Sequence, residues 1–196
     1  VDEYERSAYT YAISPDSARA AYAALSAYQK QEALLPESER GAWKLRSIES
    51  GVKFAQTFPE HPDGAGVLTR ATQDLYAAKN LPRAMAVAGV LLARNPAASF
   101  AQQRIAHGVV GQAHFDLGEF APAEQSWLKA RELAAGDATL QKNLTEQLSV
   151  AVYRQAEAKR AAGDATGAIT DFLRVASVAP GTPAVETAQY DAAAEL

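Results

Sequence analysis

The stretch Ala113-His114-Phe115-Asp116-Leu117-Gly118-Glu119-Phe120-Ala121-Pro122-Ala123-Glu124-Gln125-Ser126-Trp127-Leu128-Lys129-Ala130 spells the end of one helix, a tight turn at Gly118 and a second helix. Pro122 falls in the first turn of that second helix, where its missing N–H is harmless. Ala123 is small where two antiparallel helices must touch. Two related strings occur elsewhere. Lys79-Asn80-Leu81-Pro82-Arg83-Ala84 leads to Leu91 and Pro96, and Gly163-Asp164-Ala165-Thr166-Gly167-Ala168 leads to Phe172 and Pro180. Ala84, Ala123 and Ala168 occupy one role and stand 39 and 45 residues apart. Recurrence every ~20–50 residues marks a stack of short supersecondary units.

Composition agrees with a helical stack. The chain has 196 residues, 48% of them hydrophobic, and Ala supplies much of that share. Ala is the best helix former and lets helices approach closely. A formal net charge of −4 argues against a nucleic-acid or anionic-membrane surface. No apolar run reaches the length of a membrane-spanning helix. Cysteine is absent, which excludes disulfides, thiolate metal sites and a Cys nucleophile. That absence suits an oxidising compartment. The chain opens at Val1, inside an apparent helix, and is expected to be a piece of a longer protein.

Prolines and glycines divide the chain into ten expected helices: Val1–Ile13, Pro15–Leu34, Glu37–Phe58, Gly64–Ala78, Leu81–Arg94, Ala97–Leu117, Phe120–Ala134, Asp137–Ala162, Ala165–Val178 and Pro183–Leu196. The short connections make neighbours antiparallel αα-hairpins. Asn80 and Asp164 are expected N-caps. Within Glu37–Phe58, Leu45, Ile48, Val52 and Ala55 form one apolar stripe. Trp43, Phe54 and Phe58 form a second, so this helix is expected to lie between two neighbours.

The crossings and turns resemble the tetratricopeptide repeat (TPR). The clearest repeats are residues 65–96, 104–137 and 149–182. In the second, Gly111, His114, Ala123, Trp127 and Ala130 fall at TPR signature positions. In the third the equivalents are Ala156, Lys159, Ala168, Phe172, Val175 and Pro180, and in the first Thr72, Leu75, Ala84, Ala88, Leu91 and Pro96. Lys159 and Ala88 depart from the pattern. A TPR period is ~34 residues, so the observed spacings run about 5 and 11 over it. Eleven residues is close to three turns at ~3.6 residues per turn, so Asp137–Ala162 is expected to be a long first helix. The resemblance implies an all-α, right-handed superhelical solenoid of about five irregular hairpins, residues 1–196 forming a single domain.

The helix ends also resemble bacterial envelope TPR proteins of the BamD and YbgF (CpoB) type. They carry Pro15-Asp16-Ser17 and Pro180-Gly181-Thr182 before Ala- and Tyr-bearing helices, with Ser17 and Thr182 as expected caps. That likeness implies a periplasmic or outer-membrane-associated protein. A cytosolic TPR adaptor, or an interaction region of a larger enzyme or assembly, is the alternative.

Catalytic signatures are missing. His107 and His114 lie seven residues apart, or ~10 Å along one helix, too far to share a metal. His61, next to a proline in a loop, is expected at the surface. No phosphate loop, nucleophile elbow or zinc-protease motif occurs. No cofactor, no metal and no enzymatic activity are expected. What remains is a binding surface for another protein or peptide. In TPR superhelices the first helix of each hairpin lines a concave groove, which the resemblance places at Thr69, Gln73 and Tyr76, at Gln112 and Phe115, and at Tyr153, Glu157 and Arg160.

Overall fold

The computed structural model describes residues 1–195, apart from the side chain of Pro15. These residues form ten α-helices and, among the described residues, no strand: α1 Asp2–Tyr9, α2 Pro15–Glu32, α3 Glu37–Thr57, α4 Gly64–Ala77, α5 Leu81–Leu92, α6 Phe100–Asp116, α7 Phe120–Glu132, α8 Ala138–Ala161, α9 Ala165–Val178 and α10 Ala184–Ala194. Leu196, at which the last expected helix ends, lies outside the described residues. Two compact units result, Val1–Ala98 with α1 to α5 and Ser99–Leu196 with α6 to α10. Within each unit every helix packs mainly on the next in sequence, and α10 also touches α8. Among the described residues no helix is long and apolar enough to cross a membrane.

Side-chain capping marks the starts of α2, α6, α8 and α9. α1 stops at Tyr9, four residues short of expectation. Tyr11 and Ile13 are 69% exposed and have nothing to bury against. The next helix opens on a capping box in which the Ser17 hydroxyl accepts from the Ser14 backbone N–H. Ser14 is therefore the cap, and Ser17 is its reciprocal partner. A second box, Ser99 with Gln102, starts α6 at Phe100 rather than at Ala97. Asp164 caps α9 by accepting from the Gly167 N–H, whereas the Asn80 side chain makes no cap bond. Thr182 does not cap α10; its hydroxyl donates back to the Ala179 carbonyl.

Three hairpin turns share one geometry. The N–H groups of Asn80, Glu119 and Asp164 each donate, at 2.9 Å, to a carbonyl five residues back, on Leu75, His114 and Lys159. This is the Schellman closure of a helix, which needs a left-handed residue just beforehand. Gly118 (φ 77°) and Gly163 (φ 80°) supply it in two turns, and Lys79 (φ 59°) in the third. Five residues beyond each, Ala84, Ala123 and Ala168 are fully buried.

The side chains around those alanines differ. In α6–α7, Gly111 faces Trp127 so closely that a Cβ at 111 would lie 2.4 Å from the indole Cδ1. The indole N–H donates to the Gly108 carbonyl at 3.3 Å. Phe115, near the end of α6, meets Phe120 at the start of α7, so these helices run antiparallel. The corresponding pair in α4–α5 is Thr72 and Ala88, and in α8–α9 it is Ala156 and Phe172, all buried.

Side-chain polar links tie the layers together. In the second unit Arg174 of α9 reaches Glu124 of α7 at 2.5 Å and Asp171 at 2.6 Å. Lys159 of α8 lies 2.6 Å from the other Asp171 oxygen, and Gln155 donates to Glu124. Both carboxylates are buried, so their cations compensate a desolvation cost. In the first unit the Arg94 guanidinium donates to the carbonyls of Ala55, Pro59 and His61 around the end of α3. It lies against Gly64, where a Cβ would come 2.7 Å from its Nη1.

Trp43 and Phe58 are half-buried and Phe54 is buried, with Trp43 against Tyr28 of α2 and Phe54 against Tyr22. Leu45, expected in the apolar stripe, is instead 43% exposed. The six residues of α3 before Trp43 are all exposed. α8 is the longest helix at 24 residues, and no side chain before Leu144 in it is buried.

Candidate functional site

The best-formed concavity is a cleft of about 420 Å³ in the first unit, bounded by α2, α3 and α4. Its floor is apolar: Leu25 of α2, Ile48 of α3, and Val67 and Ala71 of α4. Its rim offers the hydroxyls of Ser26 and Ser47 and the amide of Gln29. At one end Lys44 Nζ lies 3.0 Å from Asp74, and Arg70 Nε lies 3.9 Å from the same carboxylate.

At the other end the Tyr22 ring stacks on His61 at 5.5 Å, and His61 meets Phe54 edge-on at 4.8 Å. His61 is thus half-buried among aromatics rather than at the surface. The Asp63 N–H donates to its Nδ1 at 3.2 Å.

Gly66 lines this cleft as an exposed helical residue, with nothing within 4 Å of where a Cβ would stand. Glycine inside a helix costs ~1 kcal/mol relative to Ala. No packing within the unit requires a glycine there. Its effect is to leave the α4 backbone open to whatever enters.

The residues expected on the groove sit differently. Thr69 is buried and turns its hydroxyl into its own helix, donating to the Ala65 carbonyl at 2.8 Å. Gln73 is exposed, and Tyr76 is half-buried beneath the Lys79 ammonium. None of the three lines the cleft. At 100° per residue, the α4 face that does (Gly66, Val67, Arg70, Ala71 and Asp74) lies about a third of a turn away. The repeating pattern of small and charged residues at three- and four-residue steps was the available signal for it.

In the second unit Gln112 donates to Asp116 at 2.9 Å. Phe115 is half-buried against Trp127 and Phe120, as packing rather than open surface. Tyr153, Glu157 and Arg160 do come together. The Tyr153 hydroxyl donates to Asp191 of α10, and its ring stands edge-on to Phe172 at 5.2 Å. The hydrogen bond to Asp191, with burial, pushes the Tyr153 hydroxyl up to about 12. Arg160 lies 3.8 Å from Glu157, 3.7 Å from Asp191 and 3.8 Å from Glu195, with its guanidinium over the Phe172 ring. Glu157 also accepts from Arg154 at 2.7 Å. Glu157 and Arg160 line a shallow depression with Arg154 and Phe120. This face is therefore already engaged by the chain's own last helix.

Among the described residues no three His, Asp or Glu side chains converge as a metal site. His114 Nδ1 is 2.6 Å from Glu119. His107 is half-buried; burial, with Lys129 nearby, holds its pKa below the ordinary 6.5. What the cleft offers a ligand is an apolar bed, neutral hydrogen-bonding groups and a charged rim in which Lys44 and Arg70 face the carboxylates of Glu32, Asp63 and Asp74. The chain matches no model of a known protein family and no curated protein sequence.

Proposed function

We propose that the chain is a non-enzymatic, TPR-like scaffold for protein–protein interaction, whose α2–α3–α4 cleft holds an extended segment of a partner protein or peptide. The observation that carries this reading is the cleft itself, with its apolar floor, hydroxyl and amide rim and bare backbone at Gly66. An extended segment needs side-chain pockets and partners for its own amides, and those groups supply both. The partner is a protein rather than a nucleic acid, in keeping with a net charge of −4.

Three equivalent Schellman turns, each followed by a buried alanine, support a right-handed solenoid of irregular TPR-like repeats. The workplace we propose is the bacterial cell envelope, periplasmic or outer-membrane-associated. The likeness of the helix ends to envelope TPR proteins and the cysteine-free composition support it.

The test is photo-crosslinking from position 47 in envelope extract, with Gly66→Leu as the paired variant. Leucine at 66 would fill the cleft from a position where its Cβ meets nothing, so the melting temperature should hold while the crosslinked partner disappears. The same crosslinked proteins from both chains would refute the cleft as the site.

A further inference from the structure

We propose that the α8–α9 face bearing Tyr153, Arg160 and Phe172 is a second docking site, specific for an acidic amphipathic helix of a partner protein, and that α10 is its resident occupant. The inference is independent of the cleft in the first unit. α10 displays what the face recognises. Ala188 and Ala192, four residues apart, are buried against the α8–α9 core. Asp191 and Glu195, also four apart, meet the Tyr153 hydroxyl and the Arg160 guanidinium. These four positions share one face of a helix with 3.6 residues per turn. The opposite side carries Glu186, Thr187, Gln189 and Tyr190, all exposed. The recognised pattern is thus a small residue, an acid three positions on, a second small residue beside it, and a second acid four positions after the first.

The hold on α10 is polar and directional rather than deep. It buries two alanines, with Ala184 and Val185 partly buried beside them, whereas α4 buries Leu68 and Leu75, and α9 buries Phe172 and Val175. Elements with little buried apolar surface open locally at low cost. Residues 179–183 join α10 to α9 through Gly181 at φ 76°, a left-handed position. When α10 leaves, Arg160 keeps Glu157 beside it on its own helix, so the open face is not left with an unpaired charge. A partner helix carrying the same spacing of acids takes the place of α10.

The test uses the full chain and, as probe, a fluorescent peptide with the sequence of residues 183–195. Asp191→Asn/Glu195→Gln in the chain weakens the resident helix, so the peptide should bind that variant about tenfold more tightly than the wild type, because the open fraction rises. Adding Tyr153→Phe and Arg160→Gln should abolish the gain, and a peptide carrying the same two amide substitutions should not bind. Equal affinity for the wild type and the loosened chain, or no binding to either, overturns the proposal. Circular dichroism confirms that the variants keep their helices. Hydrogen exchange gives a second measurement on the unmodified chain: α10 amides should exchange faster than those of α9, and equal protection overturns the proposal as well. Dimers formed by exchange of α10 between copies, seen by light scattering, would make a second copy the occupant and overturn the assignment to a partner protein.

Discussion

The α4–α5 hairpin and the α6–α7 hairpin close with the same backbone turn and cross at the same kind of alanine, yet they fill the space around that crossing in opposite ways. One places Thr72 and Ala88 at the corresponding positions and tolerates Lys79 in the left-handed turn. The other places Gly111 against Trp127 and uses Gly118. The hairpin depends on a few backbone positions; the side-chain filling is negotiated pair by pair. A close-packed interior permits this only if a large residue on one helix meets a small one on the other.

That contrast is most sharply broken at Trp127. Trp127→Ala should destabilise the protein by about 3–5 kcal/mol, because a buried indole leaves a cavity that a glycine opposite cannot fill. Urea denaturation checks it, and the remaining tryptophan, Trp43, reports the first unit separately. Gly111→Ala comes next. Although alanine favours a helix, its Cβ would collide with the indole, so a net loss of about 1–3 kcal/mol is expected. Gly66→Ala, in the open cleft, should instead stabilise by up to about 1 kcal/mol.

The turns sharpen the comparison further. Lys79→Gly should stabilise by about 1 kcal/mol, and Gly118→Ala should destabilise by a similar amount, since only glycine adopts positive φ without steric cost. A gain from Gly118→Ala would mean that the two turns are not equivalent.

The smallest effect is a pH dependence confined to the second unit. Burial lowers the folded-state pKa of His107 below 6.5, so the unfolded chain binds its proton first as pH falls. Stability should be fully present above pH 6.5 and decline as pH drops below it, and His107→Gln should flatten that slope in thermal melts taken from pH 7.5 to 5.5.

Much of the helical pattern was readable from residue types, because Pro, Gly and cap residues act locally. Nine of the ten starts lie within one residue of expectation. α6 is the exception, because the reciprocal Ser99–Gln102 box outcompetes a start at Ala97. The candidate site was less legible. On α4, Thr69 looks like a polar surface residue in sequence, yet a threonine can satisfy its hydroxyl on its own helix and be buried. On α8 the residues named do cluster, but their partners Asp191 and Glu195 lie more than 30 residues away in sequence. No periodicity within α8 announces them. The cleft floor combines three helices, and its shape depends on how closely they approach.

Arg94 and Gly64 carry a consequence for how this sequence can vary. The guanidinium fills the space that any side chain at 64 would occupy, and in that seat it holds three carbonyls near the end of α3. Neither position can drift alone: a side chain at 64 evicts the arginine, and loss of the arginine removes the nearest obstacle to a side chain at 64. The two should therefore covary, with glycine retained wherever arginine is retained and relaxed wherever it is lost.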